Sequence, residues 1–128
     1  MRLLVALLSL ACGMSPAFAA PPTLDGAWSV DLSTPTSGPY AQPMLLTLKP
    51  DGNVEGSFYN STIEAGRWKG DRGRLCASFR TSDGVGPYHT AVCLSGETAV
   101  GQTWAEYRTF LFNWTATRPA VPASATRP

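Results

Sequence analysis

The sequence predicts an all-β protein, an eight-stranded antiparallel up-and-down β-barrel held by one disulfide. Three observations carry this. Beyond residue 20, Gly and Pro fall too often for long helices. The segments between them alternate apolar and polar residues with period two. They also follow one another at the short spacing of a meander, and a run of sequential hairpins solves its edge problem by closing on itself. A flat sandwich is the competing arrangement, and the short, regular connections favour the barrel over it.

The chain opens MRLLVALLSLACGMSPAFAA. One basic residue, a short apolar run, Pro16 and the small-residue pattern Ala17-Phe18-Ala19 are expected of a secretory signal peptide over residues 1–19. The run is too short for a membrane span, which needs about 20 residues. A lipoprotein leader acylated at Cys12 is the rival, and SLAC lacks the apolar residue expected three positions before such a cysteine. The expected location is secreted or periplasmic. Residues 20–118 are expected to form a single barrel domain, and the Pro/Ala-rich residues 119–128 a disordered tail.

The strands read in order. GAWSVDL sets Trp28, Val30 and Leu32 on one face. A longer loop, PTSGPYAQP, precedes MLLTLK, with Met44, Leu46 and Leu48 together. Pro50-Asp51-Gly52-Asn53 is a turn, and VEGSFY returns with Val54, Gly56 and Phe58 aligned. TIEAGRWK is the fourth strand, followed by a GDRG turn. LCASFRT aligns Leu75, Ala77 and Phe79. YHTAVCL aligns Tyr88, Thr90, Val92 and Leu94. TAVGQTW follows. YRTFLFNWTATR is last, with Phe110, Phe112, Trp114 and Ala116 on one side.

Charge narrows the partners. Loss of Arg2 with the leader takes the ten Lys and Arg to nine, equal to the nine Asp and Glu. A neutral chain is a poor match for nucleic acid or an anionic membrane surface. The local run RWKGDRGR reads as a solvated turn.

Leader cleavage also removes Cys12, leaving Cys76 and Cys93, an even number in an exported chain. Pairing the fifth and sixth strands around SDGVGP sets Cys76 opposite Cys93, Ser78 opposite Ala91 and Arg80 opposite His89. Facing residues bring their Cβ atoms close enough for a bond. A zinc site needs more ligands than two Cys and one His supply, and a Cys–His nucleophile needs a free thiol. A disulfide is therefore expected, with no metal and no cofactor, and His89 is expected at the surface or rim.

No catalytic constellation stands out, so the chain is not expected to be an enzyme. A Ser–His–Asp set would have to use His89 with Asp83, and no G-x-S-x-G motif supports it. Asp31, Glu55, Glu64 and Glu106 read as outward strand residues. Asn60-Ser61-Thr62 and Asn113-Trp114-Thr115 match the glycosylation pattern and read as incidental. The aromatics are more informative. An eight-stranded barrel can hold one small ligand, and aromatic side chains with a few polar groups at an open end describe a pocket. Candidate ligand contacts are Trp28, Ser57, Tyr59, Asn60, Trp68, Phe79, Tyr88 and Trp104, with Ser61 as a further polar group.

Gly26-Ala27-Trp28 on the first strand, answered by Arg118 after the last, resembles the calycin superfamily, which holds lipocalins and avidins. The resemblance implies that Arg118 packs over Trp28 and closes one end of the barrel, with Gly26, Trp28 and Arg118 structural. GAWSVDL, PDGNVEGSFYNS and TFLFNW fall in the order of the avidin branch. Its biotin-contact pattern is not kept: Val30 stands where Asn is expected, Phe58 where Tyr is, and Phe110 where Trp is. The resemblance thus implies a ligand-binding barrel and argues against biotin. Avidin-like barrels often assemble through their outer faces, so self-association as a homo-oligomer is open. The function expected is binding of a small, partly apolar ligand at the barrel mouth. The alternative is an exported barrel that binds or inhibits another protein, using the loop Ser33 to Pro43 together with GDRGR.

Overall fold

The computed structural model describes residues 12–13 and 21–120. The expected signal peptide (1–19) thus lies outside the described residues except for Cys12 and Gly13, and the expected tail (119–128) except for Pro119 and Ala120. The strands are β1 (Gly26–Asp31), β2 (Ala41–Leu48), β3 (Asn53–Phe58), β4 (Ser61–Thr62), β5 (Glu64–Asp71), β6 (Arg74–Ser82), β7 (Pro87–Ser95), β8 (Thr98–Ala105) and β9 (Phe110–Thr117).

Eight of these close an antiparallel barrel in which sequence neighbours are spatial neighbours. β1 pairs with both β2 and β9, and β2 pairs with β3, so the sheet has no open end. The small β4 is an appendage of β3, set by Ser57 opposite Thr62 and Phe58 opposite Ser61. Its turn residues Tyr59 and Asn60 both have positive φ, 51° and 63°, the backbone of a tight hairpin turn whose twist matches the flanking strands.

One expected strand is therefore two elements. Residues 62–69 do not run straight: the register of β5 against β6 shifts between Glu64 and Arg67, and Ala65 has φ 52°. The bulge sends Ile63 into the core, where it is 8% exposed, and its N–H donates to the Gly56 carbonyl. Gly56 makes the bend possible. Its φ is 140°, and a Cβ there would lie 1.8 Å from the Leu45 carbonyl oxygen. Two further differences are that β2 begins at Ala41, inside the stretch expected as loop, and that Tyr107, Arg108 and Thr109 form a turn, so β9 begins at Phe110.

Alternation fills the interior. Trp28, Val30, Met44, Leu46, Val54, Phe58, Phe79, Val92 and Trp114 pack together as a buried core. β8 faces inward with Ala99, Gly101, Thr103 and Ala105, all small and buried. That face is small because Trp114 from β9 lies on it: a Cβ at Gly101 would come within 2.3 Å of the indole.

One end of the barrel is sealed. The Arg118 guanidinium sits 3.7 Å above the Trp28 ring and donates to the carbonyls of Ala27 and Thr23, at 3.1 and 2.7 Å. The Trp28 indole N–H donates to Leu24 O at 2.9 Å, and Leu24 is fully buried. Trp68 closes the neighbouring sector by donating to Lys49 O at 2.7 Å. This is the plug that the resemblance implied, and the barrel is compatible with a calycin-like fold.

Cys76 and Cys93 face each other across β6 and β7 in the expected register and form a disulfide. Both lie on the outer face, since their neighbours Ala77 and Val92 are the buried ones. The disulfide is consistent with an oxidising environment. Among the described residues, no helix is long and apolar enough to cross a membrane.

Candidate functional site: the open barrel mouth

The end opposite Arg118 is open. Strands β1, β3, β6 and β8 finish there, and the connections 32–40, 59–60, 83–86 and 106–109 surround it. A cavity of about 500 Å³ enters the barrel between them, within the size range of small-molecule sites. Its apolar wall is made by Leu32, Phe58, Phe110 and Phe112. Tyr88, Phe110 and Phe112 form an edge-on aromatic ladder, with ring centroids 6.4 and 6.0 Å apart. Below this, Phe58 tilts against Trp114 at 5.6 Å and Phe79 at 6.2 Å, and these rings fill the barrel centre.

The polar side of the mouth is organised around Asp83. Its Oδ1 accepts the main-chain N–H groups of Val85 and Gly86 at 2.8 and 3.1 Å. Its Oδ2 accepts the Tyr88 hydroxyl at 2.8 Å and two Arg108 nitrogens at 2.8 and 3.1 Å. The Tyr88 hydroxyl above all, then the Val85 N–H and Arg108, hold this carboxyl well below the usual carboxylate range. Burial, then the adjoining Asp83, pushes the Tyr88 phenol up. Gly86 lets the two loops meet: a Cβ there would be 2.5 Å from Tyr107 Cβ.

Across the opening the hydroxyls of Tyr40 and Tyr59 hydrogen-bond to each other. That bond is the main cause of a raised Tyr59 phenol pKa, with burial second. Deeper in, Trp114 donates its indole N–H to Thr103 Oγ1 at 2.9 Å, and Thr103 shares a hydrogen bond with Thr90, also at 2.9 Å.

Of the residues expected to contact a ligand, the structure brings Tyr59 and Tyr88 to the cavity, together with Ser61. Trp28 and Trp68 sit at the sealed end. Phe79 is 4% exposed in the core beneath the cavity. Ser57 lies on the outer face of β3, and Asn60 is in the exposed β3–β4 turn. Trp104 is near the mouth in height but points outward, 41% exposed, beside His89 and Leu111. His89 is on the same outer face, with Nε2 3.2 Å from Glu106.

Sequence reasoning missed Thr81, Asp83 and Arg108 as mouth residues. Thr81 was findable, because it faces Tyr88 across β6 and β7. The two proposed protein-contact segments also separate: the loop after β1 is at the mouth, whereas Gly70–Arg74 is at the sealed end. They do not form one surface.

Among the described residues no group of three or more His, Cys, Asp or Glu is placed to hold a metal. Comparison of the chain with protein-family models, with curated proteins and with solved structures finds no match.

Proposed function

We propose that this chain is an exported binding module that takes a small, partly apolar molecule into the open mouth of its barrel, and that biotin is not that molecule. One observation carries the proposal. The cavity is lined by apolar side chains together with a few polar ones, and it is set in a barrel whose opposite end is plugged. The barrel centre is filled by Phe58, Phe79 and Trp114, but a mouth that served only to display loops to a protein would gain nothing from being left open above them, because an unfilled cavity forfeits packing. The resemblance to ligand-binding barrels supports the same reading. Against biotin stand Val30 and Phe58, apolar where the resemblance would need hydrogen-bonding groups, while Phe110 keeps a ring where it would need Trp. Val30 is fully buried outside the cavity lining, and the other two line it. Unpaired polar groups on the ligand would cost much of its affinity.

The module has no chemistry of its own in this reading. Asp83 is occupied by hydrogen bonds, and His89 lies on the outside of the wall.

The test is native mass spectrometry of the mature protein purified from its own cell extract, with and without reductant. A small co-purifying mass that leaves on denaturation is the expected result. An empty chain, or one that carries another protein, would favour the interaction-module alternative.

A further inference from the structure

We infer that the mouth selects an electrically neutral, ring-bearing ligand whose single hydrogen-bonding group meets the hydroxyl of Thr81. This rests on the mouth being a ligand site, and it names the class of ligand and its anchor.

Neutrality follows from the charges. Asp83 and Arg108 are the two charged residues that line the cavity among the described residues, and they are spent on each other. Asp83 accepts five hydrogen bonds, which leaves no free acceptor to receive an ammonium group. Arg108 is neutralised by the same contact, so a carboxylate entering the cavity would give up water for no net countercharge. The aromatic ladder that runs on from Tyr88 through Phe110 to Phe112 offers ring faces and edges instead.

The anchor follows from accounting for the hydroxyls. Tyr40 and Tyr59 bond each other, and the hydroxyl proton that this pair leaves over lies at the exposed rim. Ser61 donates to the Ser82 carbonyl, and Tyr88 to Asp83. Thr103 is taken by Trp114 and Thr90. Thr81 also lines the cavity and is only 5% exposed. Its hydroxyl takes part in none of the side-chain hydrogen bonds of the described residues, and it is open to the cavity rather than sealed away, since no fully buried side-chain polar atom among them lacks a partner. A hydroxyl left unpaired by the protein bonds whatever fills the cavity, water or ligand. An unpaired one on the inner face of β6, opposite Tyr88, is an acceptor and donor held ready for a group that enters from the mouth.

The test uses four probes that share one ring system: 2-naphthol, 2-methylnaphthalene, 2-naphthoate and 2-naphthylmethylammonium. Binding to the mature protein is read by fluorescence and calorimetry, for the natural chain and for Thr81→Val. In the natural chain 2-naphthol is expected to bind best, at least about tenfold tighter than either ion. Thr81→Val is expected to weaken 2-naphthol about tenfold and leave 2-methylnaphthalene within about twofold. An unchanged or raised melting temperature of the unliganded variant separates this loss from misfolding.

Equal binding of ions and neutral probes overturns the inference while leaving a ligand site. So does a Thr81→Val variant that keeps its preference for 2-naphthol. Failure of all four probes to bind overturns the inference and the ligand-site reading together.

Discussion

Arg108 grips Asp83 through two nitrogens, at 2.8 and 3.1 Å, across 25 residues of sequence. The contact ties the β8–β9 turn to the β6–β7 loop and so fixes one side of the mouth. Arg108→Ala is expected to release both loops. Hydrogen exchange should quicken at 83–86 and 106–109 and stay unchanged in β1 and β2. Because both partners are solvent-exposed, global stability should move little.

The same cluster sets a pH dependence. Asp83 titrates lower in the folded protein than the value near 4 of a free carboxyl. Its stabilising contribution is therefore complete above about pH 4 and is lost as the pH falls through the lower folded-state value. Carbon NMR of the Asp83 carboxyl should be flat from pH 7 to about pH 4. A midpoint at or above 4 would contradict the hydrogen-bond assignment.

Gly101→Ala tests the barrel centre. The added methyl would meet the Trp114 ring at 2.3 Å, so the strand or the ring must shift. Overpacking of this kind costs about 1–3 kcal/mol. Denaturant unfolding should show at least that loss, and the Trp114 indole N–H resonance should shift as its bond to Thr103 is disturbed.

Removing the disulfide should hurt stability without touching the mouth. The cross-link closes a loop of sequence separation 17, worth about 3 kcal/mol in the chain-entropy account. The hairpin register already restrains that loop, so Cys76→Ser with Cys93→Ser is expected to cost about 1–3 kcal/mol in urea unfolding. Affinity for 2-naphthol should be retained in the folded variant.

Arg118→Ala tests the plug. It removes two charge-assisted hydrogen bonds and a cation–π contact with Trp28. A loss of about 2 kcal/mol is expected from such contacts at a partly exposed site. Faster exchange at Leu24 and Trp28 should accompany it, and the mouth should keep its binding.

The barrel was legible because its signals are local and redundant. Period-two faces and turn residues set the strands, and the cysteine register followed from counting outward from one loop. The mouth was less legible because it depends on which face wins within each strand. β8 misleads in this way. Its inner residues Ala99, Gly101, Thr103 and Ala105 are small, while outward Val100 and Trp104 are the larger apolar side chains and are 51% and 41% exposed. The interior volume there is filled from β9 by Phe112 and Trp114, which nothing in the β8 sequence announces. Arg108 was hidden for another reason. Reading Tyr107 to Thr109 as strand concealed the turn that carries its guanidinium back to Asp83. Ile63 and Gly56 record a bulge that breaks the alternation, so the fourth strand read as one continuous segment.

The central claim is that the open mouth is where this protein binds its ligand. The most direct measurement is a backbone NMR titration of residues 20–128 with 2-naphthol. The account predicts shifts concentrated at Thr81, Asp83, Tyr88 and Phe110, with the Trp28 and Arg118 end unmoved. Shifts confined to the outer face around Trp104 and Leu111, or at the sealed end, would contradict it.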